Sequence, residues 1–364
     1  MSEMTRFQHD KTSRRTFLQR MTAGAAGVTM GSLYPPPKAM AQLSKTGKSR
    51  VSFMASTDHR EAAYEALKPL QQEVGEAIGN KQVVIKVNAG LASPQYFNCS
   101  SHADQIRGIL EFLKPIHDRT IIITEGTAGA MCDAFIGFKN YNYMPLEEEY
   151  NVKLMDSNLL PYTQKFIYAA KHRPQPINII NIFFDPDVYL ISAARMKTHN
   201  AVVATCSLKN VTMGSPMCHF NREDIPKNVR NEKSMMHGGV GNSGGRELSY
   251  NLFLVALMGV QPDLALIDAV ESIEGNGPWD GEVVKHGVAV ASTDFVAADR
   301  LCIELMGIDP KYMKYLEWCG NAGMGAFDLS NIQVIGPDYK KYVRKYALNK
   351  NFDRQVEWIE KGEG

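Results

Sequence analysis

Short apolar runs that end on polar residues constrain this chain more than any other feature. Val83–Val87 (VVIKV), Thr120–Thr124 (TIIIT) and Val188–Ala193 (VYLISA) are β-branched and nearly continuous, as strands buried on both faces are. Helical spacing separates them. Ala63, Leu67, Leu70, Val74 and Ile78 share one face of a helix predicted over Arg60–Ile78 with Gly79 as its stop, and a second helix is expected over His102–Ile116. Strands at Arg50–Ala55, Val152–Met155, Leu264–Ile267, Val288–Ala291 and Ile332–Ile335 continue the alternation, with helices at Leu248–Met258, after Asp294 and over Pro310–Cys319. The pattern predicts an α/β fold, a mostly parallel β-sheet flanked by helices on both faces. Gln164–Arg173 and Ile177–Phe184 fit neither period and read as part of an excursion before VYLISA.

Ligands in such sheets collect outside the carboxyl ends of the strands, so the polar residues there are the candidate site. Ala194–Phe220 gathers most of them. Lys197 and His199, two apart, would share a face where the VYLISA strand runs out, and Lys209 and Asn210 follow on a helix. A helix beginning at Ala201 with Asn200 as N-cap would carry Lys209 about 12 Å from its start at 1.5 Å per residue, so a later start near Thr205 or Ser207 is favoured. The free N–H groups of that helix would add positive potential for an anion. Lys86 and Asn88 occupy the end of VVIKV, and Glu125 the end of TIIIT, as a base, a metal ligand or a capping partner. Met217–Gly245, which contains His219 and His237, has no periodicity and reads as a long loop. After Leu264–Ile267 come Asp268, Glu271 and Glu274, expected in a Gly-rich acidic loop suited to a metal ion or acid/base work.

The N-terminus carries a different message. Ser13–Leu18 (SRRTFL), the apolar run Met21–Leu33 and Ala39-Met40-Ala41 resemble a twin-arginine export signal, with cleavage before Gln42. Residues 1–41 are thus expected to be a signal peptide that engages the twin-arginine translocation machinery, and 42–364 the exported, periplasmic α/β domain. The signal holds six Lys or Arg and two Asp or Glu, so removing it takes the formal charge from +1 to −3, with no basic surplus for nucleic acid. The later apolar runs are too short for a transmembrane segment. Six cysteines (Cys99, Cys132, Cys206, Cys218, Cys302 and Cys319) include no C-x-x-C spacing, so no iron–sulfur motif is present. Disulfides are open to an even set in an oxidising compartment, whereas Cys206 and Cys302 fall in apolar contexts that suit buried thiols.

At MKTH, TCSLKN, PDLALIDAVESIEGNGPWDG, STDFVAAD and AGMG the sequence resembles the domain of unknown function 362 family, from about Gln82 to Gly325. The resemblance puts the family's polar motif positions on Lys86, Asn88, Lys197, His199, Lys209, Asn210, Asp268, Glu274, Gly275, Pro278, Asp294 and Asp299. Many members of that family append a ferredoxin-type cysteine motif, which this chain lacks.

These residues lead to one functional expectation: an exported, metal-assisted enzyme acting on a small anionic substrate, carboxylated or phosphorylated. Lys86, Asn88, Lys197, Lys209 and Asn210 are expected to bind the substrate, and Glu125, His199, Asp268 and Glu274 to do acid/base work. A divalent metal would fall to His219, His237 and Glu271. A non-catalytic ligand-binding or cofactor-delivery protein is the alternative, and iron–sulfur electron transfer is disfavoured.

Overall fold

The computed structural model describes residues 47–128, 132–218, 231–239 and 245–362. The expected signal peptide and His219 lie outside the described residues. The strands are β1 (Ser49–Ala55), β2 (Gln82–Lys86), β3 (Ile121–Glu125), β4 (Val152–Asp156), β5 (Tyr162–Ala169), β6 (Arg173–Ile180), β7 (Val188–His199), β8 (Val203–Thr205), β9 (Leu264–Glu274), β10 (Glu282–Ser292) and β11 (Ile332–Ile335). The main sheet runs β11-β1-β10-β9-β7-β2-β3-β4, with β8 added to β7. Along that path β10 alone runs against its neighbours, β1 and β9, and the other pairs are parallel. The expected α/β architecture is what the chain forms.

Period-two alternation places the side chains of each central strand in two cores. Val83 and Ile85 of β2, Tyr189 and Ile191 of β7, and Leu264 and Leu266 of β9 enter one core, beneath the helices His59–Leu67, Gln71–Ile78 and Ala103–Leu113. Val84, Leu190, Ala265 and Ile267 enter the other, beneath Ser207–Gly214, Gly245–Leu257, Phe295–Leu305 and Lys314–Asn321. Strands covered on both faces have little room for polar side chains except at their ends, which is where the sequence puts them.

Three expectations need correction. The helix predicted over Arg60–Ile78 breaks at Pro69, where Lys68–Leu70 forms one 3₁₀ turn between two α-helices, because proline has no N–H to donate and clashes with the preceding turn. The acidic loop after Ile267 is strand: β9 continues to Glu274 and pairs Glu271 with Lys285 and Glu274 with Glu282 on β10. Val270, Ser272 and Ile273 are buried there while Glu271 and Glu274 are partly exposed, a spacing without the period-two alternation that would have marked a strand. The segments that fitted neither period form the antiparallel hairpin β5–β6, apart from the main sheet, with Phe166 and Tyr162 facing solvent and Pro174 and Pro176 tolerated on an edge strand.

The topology fixes where a ligand would sit. From β2 the chain steps outward through β3 and β4, then returns to β7 on the other side of β2 and steps away again to β9. The switch point between β2 and β7 therefore opens a crevice outside their carboxyl ends.

Candidate functional site

That crevice is a cleft of about 190 Å³, and its walls include Lys86, Asn88, Glu125, Lys197, His199, Lys209, Asn210, Lys233, His237 and Trp279. Four chain segments that are distant in sequence meet there. β2 ends in Lys86 and leads to Asn88, β3 ends in Glu125, β7 ends in Lys197 and His199, and the helix Ser207–Gly214 brings Lys209 and Asn210 in its first turn.

β8 explains the late start of that helix. After His199 the chain folds back so that Val203–Thr205 pairs with His199–Lys197, and the helix begins only at Ser207, as favoured on distance grounds. Asn200 is consequently not its N-cap. The first N–H groups, of Ser207 and Leu208, donate to the two oxygens of Asp299 at 2.8 and 3.0 Å. They are thus spent on a buried carboxyl, which burial raises to about 7, and add no free positive pole to the cleft.

Asn210 is the hub of the polar network. Its Nδ2 donates to Lys86 O and Ser192 Oγ, each at 3.1 Å, and its Oδ1 accepts from Asn88 Nδ2 at 3.1 Å. Asn88 Oδ1 in turn accepts from Lys197 Nζ at 2.8 Å, and Cys99 O accepts from the same amine at 2.6 Å. Lys86 Nζ lies against Glu125 Oε1 and donates to Val87 O, both at 2.7 Å. Glu125 also accepts the backbone N–H groups of Ala89 and Gly126 at 2.6 and 2.8 Å, so both of its oxygens are engaged within the protein. Gly214 makes room for the lysine, since a Cβ there would stand 2.3 Å from Lys86 Cε.

The remaining cations differ in how well they are satisfied. Lys233 donates to the carbonyls of Met213, Gly214 and Pro216. Lys197, besides its two acceptors, stands 5.1 Å over the ring of Trp279. Lys209, 8 % exposed, has no hydrogen-bond acceptor or carboxylate within reach among the described residues. Burial lowers all three amines, Lys197 to about 8 and Lys209 and Lys233 to about 7, and the charge of Lys197 adds to the effect on Lys209. Among the described residues lining the cleft, Glu125 is the single carboxylate against four lysines.

Two histidines complete the floor. His199 Nδ1 accepts from the N–H groups of Ala201 and Val202 at 3.0 and 3.3 Å, so the neutral ring carries its proton on Nε2. Burial holds it well below the usual histidine range, helped by the charges of Lys209, His237 and Lys197. His237, lowered to about 4 by burial and by Lys209, keeps a buried Nδ1 without a partner among the described residues.

The acids expected opposite this cluster are engaged elsewhere. Asp268 accepts from His59 Nδ1 at 2.6 Å and faces Arg195 at 3.3 Å. Burial opposes its ionisation, yet His59 and Arg195 hold the carboxyl below its ordinary value. Glu271 faces Arg195 at 3.5 Å, and Glu274 meets Arg344 at 3.7 Å and the N–H of Ala347 at 3.1 Å. Of the two expected metal ligands among the described residues, His237 lines the cleft and Glu271 does not, and among the described residues no three His, Cys, Asp or Glu side chains converge to hold a metal ion. Sequence reasoning missed Lys233, Ser192 and Trp279. Lys233 lies in the stretch read as structureless loop, while Ser192 sits inside VYLISA and betrays itself as the polar residue of an apolar strand.

Lys86, Lys197, Lys209 and Asn210 all fall inside residues 83–304, which match the family model described as domain of unknown function 362. The chain belongs to that family. This family member is similar, at 28% identity over 126 residues, to a thylakoid-associated protein of Synechocystis sp.; the match spans 35% of this chain and 34% of that relative. It also resembles a crystallised Thermotoga maritima protein with a TM-score of 0.34 and 12% identity, over 55% of this chain and 50% of the other, a likeness too weak to inform fold or function.

Proposed function

We propose that this domain of unknown function 362 protein is an exported enzyme that takes a small anionic substrate, carboxylated or phosphorylated, into the β2–β7 cleft. One observation carries the reading: four buried lysines surround a single carboxylate, and the amine of Lys209 has no protein acceptor among the described residues. Buried charge is tolerated when paired, and the pairing that the described chain does not supply is what an anionic ligand would bring. In this reading Lys197 and Lys209 contact the anion, Asn88 holds Lys197 in place and is itself held by Asn210, and His199, neutral and with its proton on Nε2, is the acid/base group. The pairing of Cys132 with Cys218 supports export, since such bonds persist in oxidising compartments. Thermal melts of the full chain with phosphate, citrate and lactate test the reading. A rise in melting temperature that saturates with at least one of them is expected, and no shift with any would count against an anion site.

A further inference from the structure

The cleft holds four amines in three different states of satisfaction, and the difference has a chemical meaning. Lys86 is locked to a carboxylate, and Lys197 and Lys233 donate to fixed oxygens. An ammonium group gains from such acceptors, and Lys209, 8 % exposed and without one among the described residues, lacks that support. Burial of the side chain and then the positive charge of Lys197 drive this amine, which opens into the cleft, toward the neutral form, whose nitrogen lone pair is nucleophilic.

We infer that Lys209 is a covalent nucleophile that forms an imine with the carbonyl carbon of a small 2-oxo acid. The inference rests on the anionic-substrate reading, because the neighbouring cations are what would hold the acid's carboxylate. Lys197, buried in the wall of the same cleft with Trp279 over its amine, is the cation that would do so. The amine nitrogen attacks the carbonyl carbon, a C–N bond forms, and the C=O π pair moves to oxygen, which takes a proton. The nitrogen then gives up a proton, the new hydroxyl takes a second proton and departs as water while the nitrogen lone pair closes the C=N bond, and loss of the remaining N–H proton leaves the neutral imine. One amine and one carbonyl thus give one imine and one water, with no oxidant or reductant. The neutral histidines suit these transfers: His199 carries an Nε2 proton to offer the oxygen, and His237 has an unpartnered Nδ1 in the same cluster to accept one. A phosphate ester without a carbonyl would give the amine nothing to attack.

The test is reductive trapping. The full chain is incubated with pyruvate, glyoxylate or 2-oxoglutarate and cyanoborohydride, then analysed by intact mass and peptide mapping. The expected result is one reduced adduct per chain, mapped to the peptide containing Lys209 and absent from Lys209→Arg. Adducts spread over exposed lysines, none at Lys209 with any of the three acids, or an unchanged yield in a folded Lys209→Arg variant would overturn it. The mapping on the wild-type chain decides even if that variant fails to fold. Thermal melts with citrate and phosphate run beside it: a ligand shift without an adduct removes the covalent step and leaves the anion site, whereas neither shift nor adduct removes both.

Discussion

Lys86 Nζ and Glu125 Oε1 meet at 2.7 Å with both side chains essentially sealed from water. The pair bolts the carboxyl end of β2 to that of β3, and Glu125 also caps the backbone of Ala89 and Gly126. It is the part of the cleft already satisfied, so structural demand and ligand demand separate within a few residues of each other.

Removing Glu125 should therefore hurt folding more than binding. Glu125→Ala leaves the Lys86 ammonium buried without its counter-ion and should lower stability by about 3–5 kcal/mol in urea denaturation, the usual effect of breaking a buried pair from one side. A loss within experimental error would mean that Lys86 is neutral in the folded protein.

Lys209→Ala should behave in the opposite way. With no protein acceptor to orphan among the described residues, its removal should change apo stability by no more than about 1 kcal/mol while weakening small-anion binding by about 1.5–3 kcal/mol. Lys197→Ala should do both kinds of damage, since it strips a donor from Asn88 and from Cys99 O. Titration calorimetry and melts on the two variants separate the cases, and identical behaviour of the pair would refute the distinction.

The lowered lysines set a pH dependence with a definite sign. In the unfolded chain these amines titrate at the ordinary 10.5, whereas in the fold Lys197 does so at about 8 and Lys209 and Lys233 at about 7. Between those values the unfolded state binds more protons, so the contribution of these groups to stability rises with pH across that window and is flat below it. Anion affinity should run the other way and fall as pH climbs through about 7 to 8, because the lysines lose the charge that attracts the ligand. Melts from neutral to alkaline pH, with and without the best-binding anion, should show the ligand-induced shift shrinking.

Export has its own experiment. Changing Arg14 and Arg15 together to Lys should leave the precursor in the cytoplasm, because the arginine pair is what the translocation receptor reads. Normal export of the double variant, followed by fractionation and blotting, would remove the twin-arginine assignment. In the wild-type exported fraction Cys132 and Cys218, 86 residues apart, should resist alkylation until reduced, and Cys206 and Cys302, buried and free, should resist it until the protein unfolds.

Much of the fold was legible because buried parallel strands advertise themselves. VVIKV, TIIIT and VYLISA leave few alternatives, and the polar residues at their ends stand out against them. Lys86, Asn88, Lys197, His199, Lys209 and Asn210 could thus be singled out one strand at a time, and all of them line one cleft. The same reasoning applied to Asp268, Glu271 and Glu274 placed a strand end at Ile267, whereas β9 runs on to Glu274 and carries all three acids. Their neighbours there are His59, Arg195, Arg344 and β10. What each side chain does was settled by partners far away in sequence. Glu125 is a structural counter-ion because β3 lies beside β2. The helix pole is spent because Asp299, 91 residues beyond Leu208, folds onto it. Lys209 stands apart from the other buried lysines because, among the described residues, no chain segment brings it an oxygen. Sequence pattern determines where polar groups must surface in a sheet, since burial without partners is forbidden along the strand. Which of those groups find partners and which are left for a ligand depends on long-range packing, and only the tertiary structure decides that.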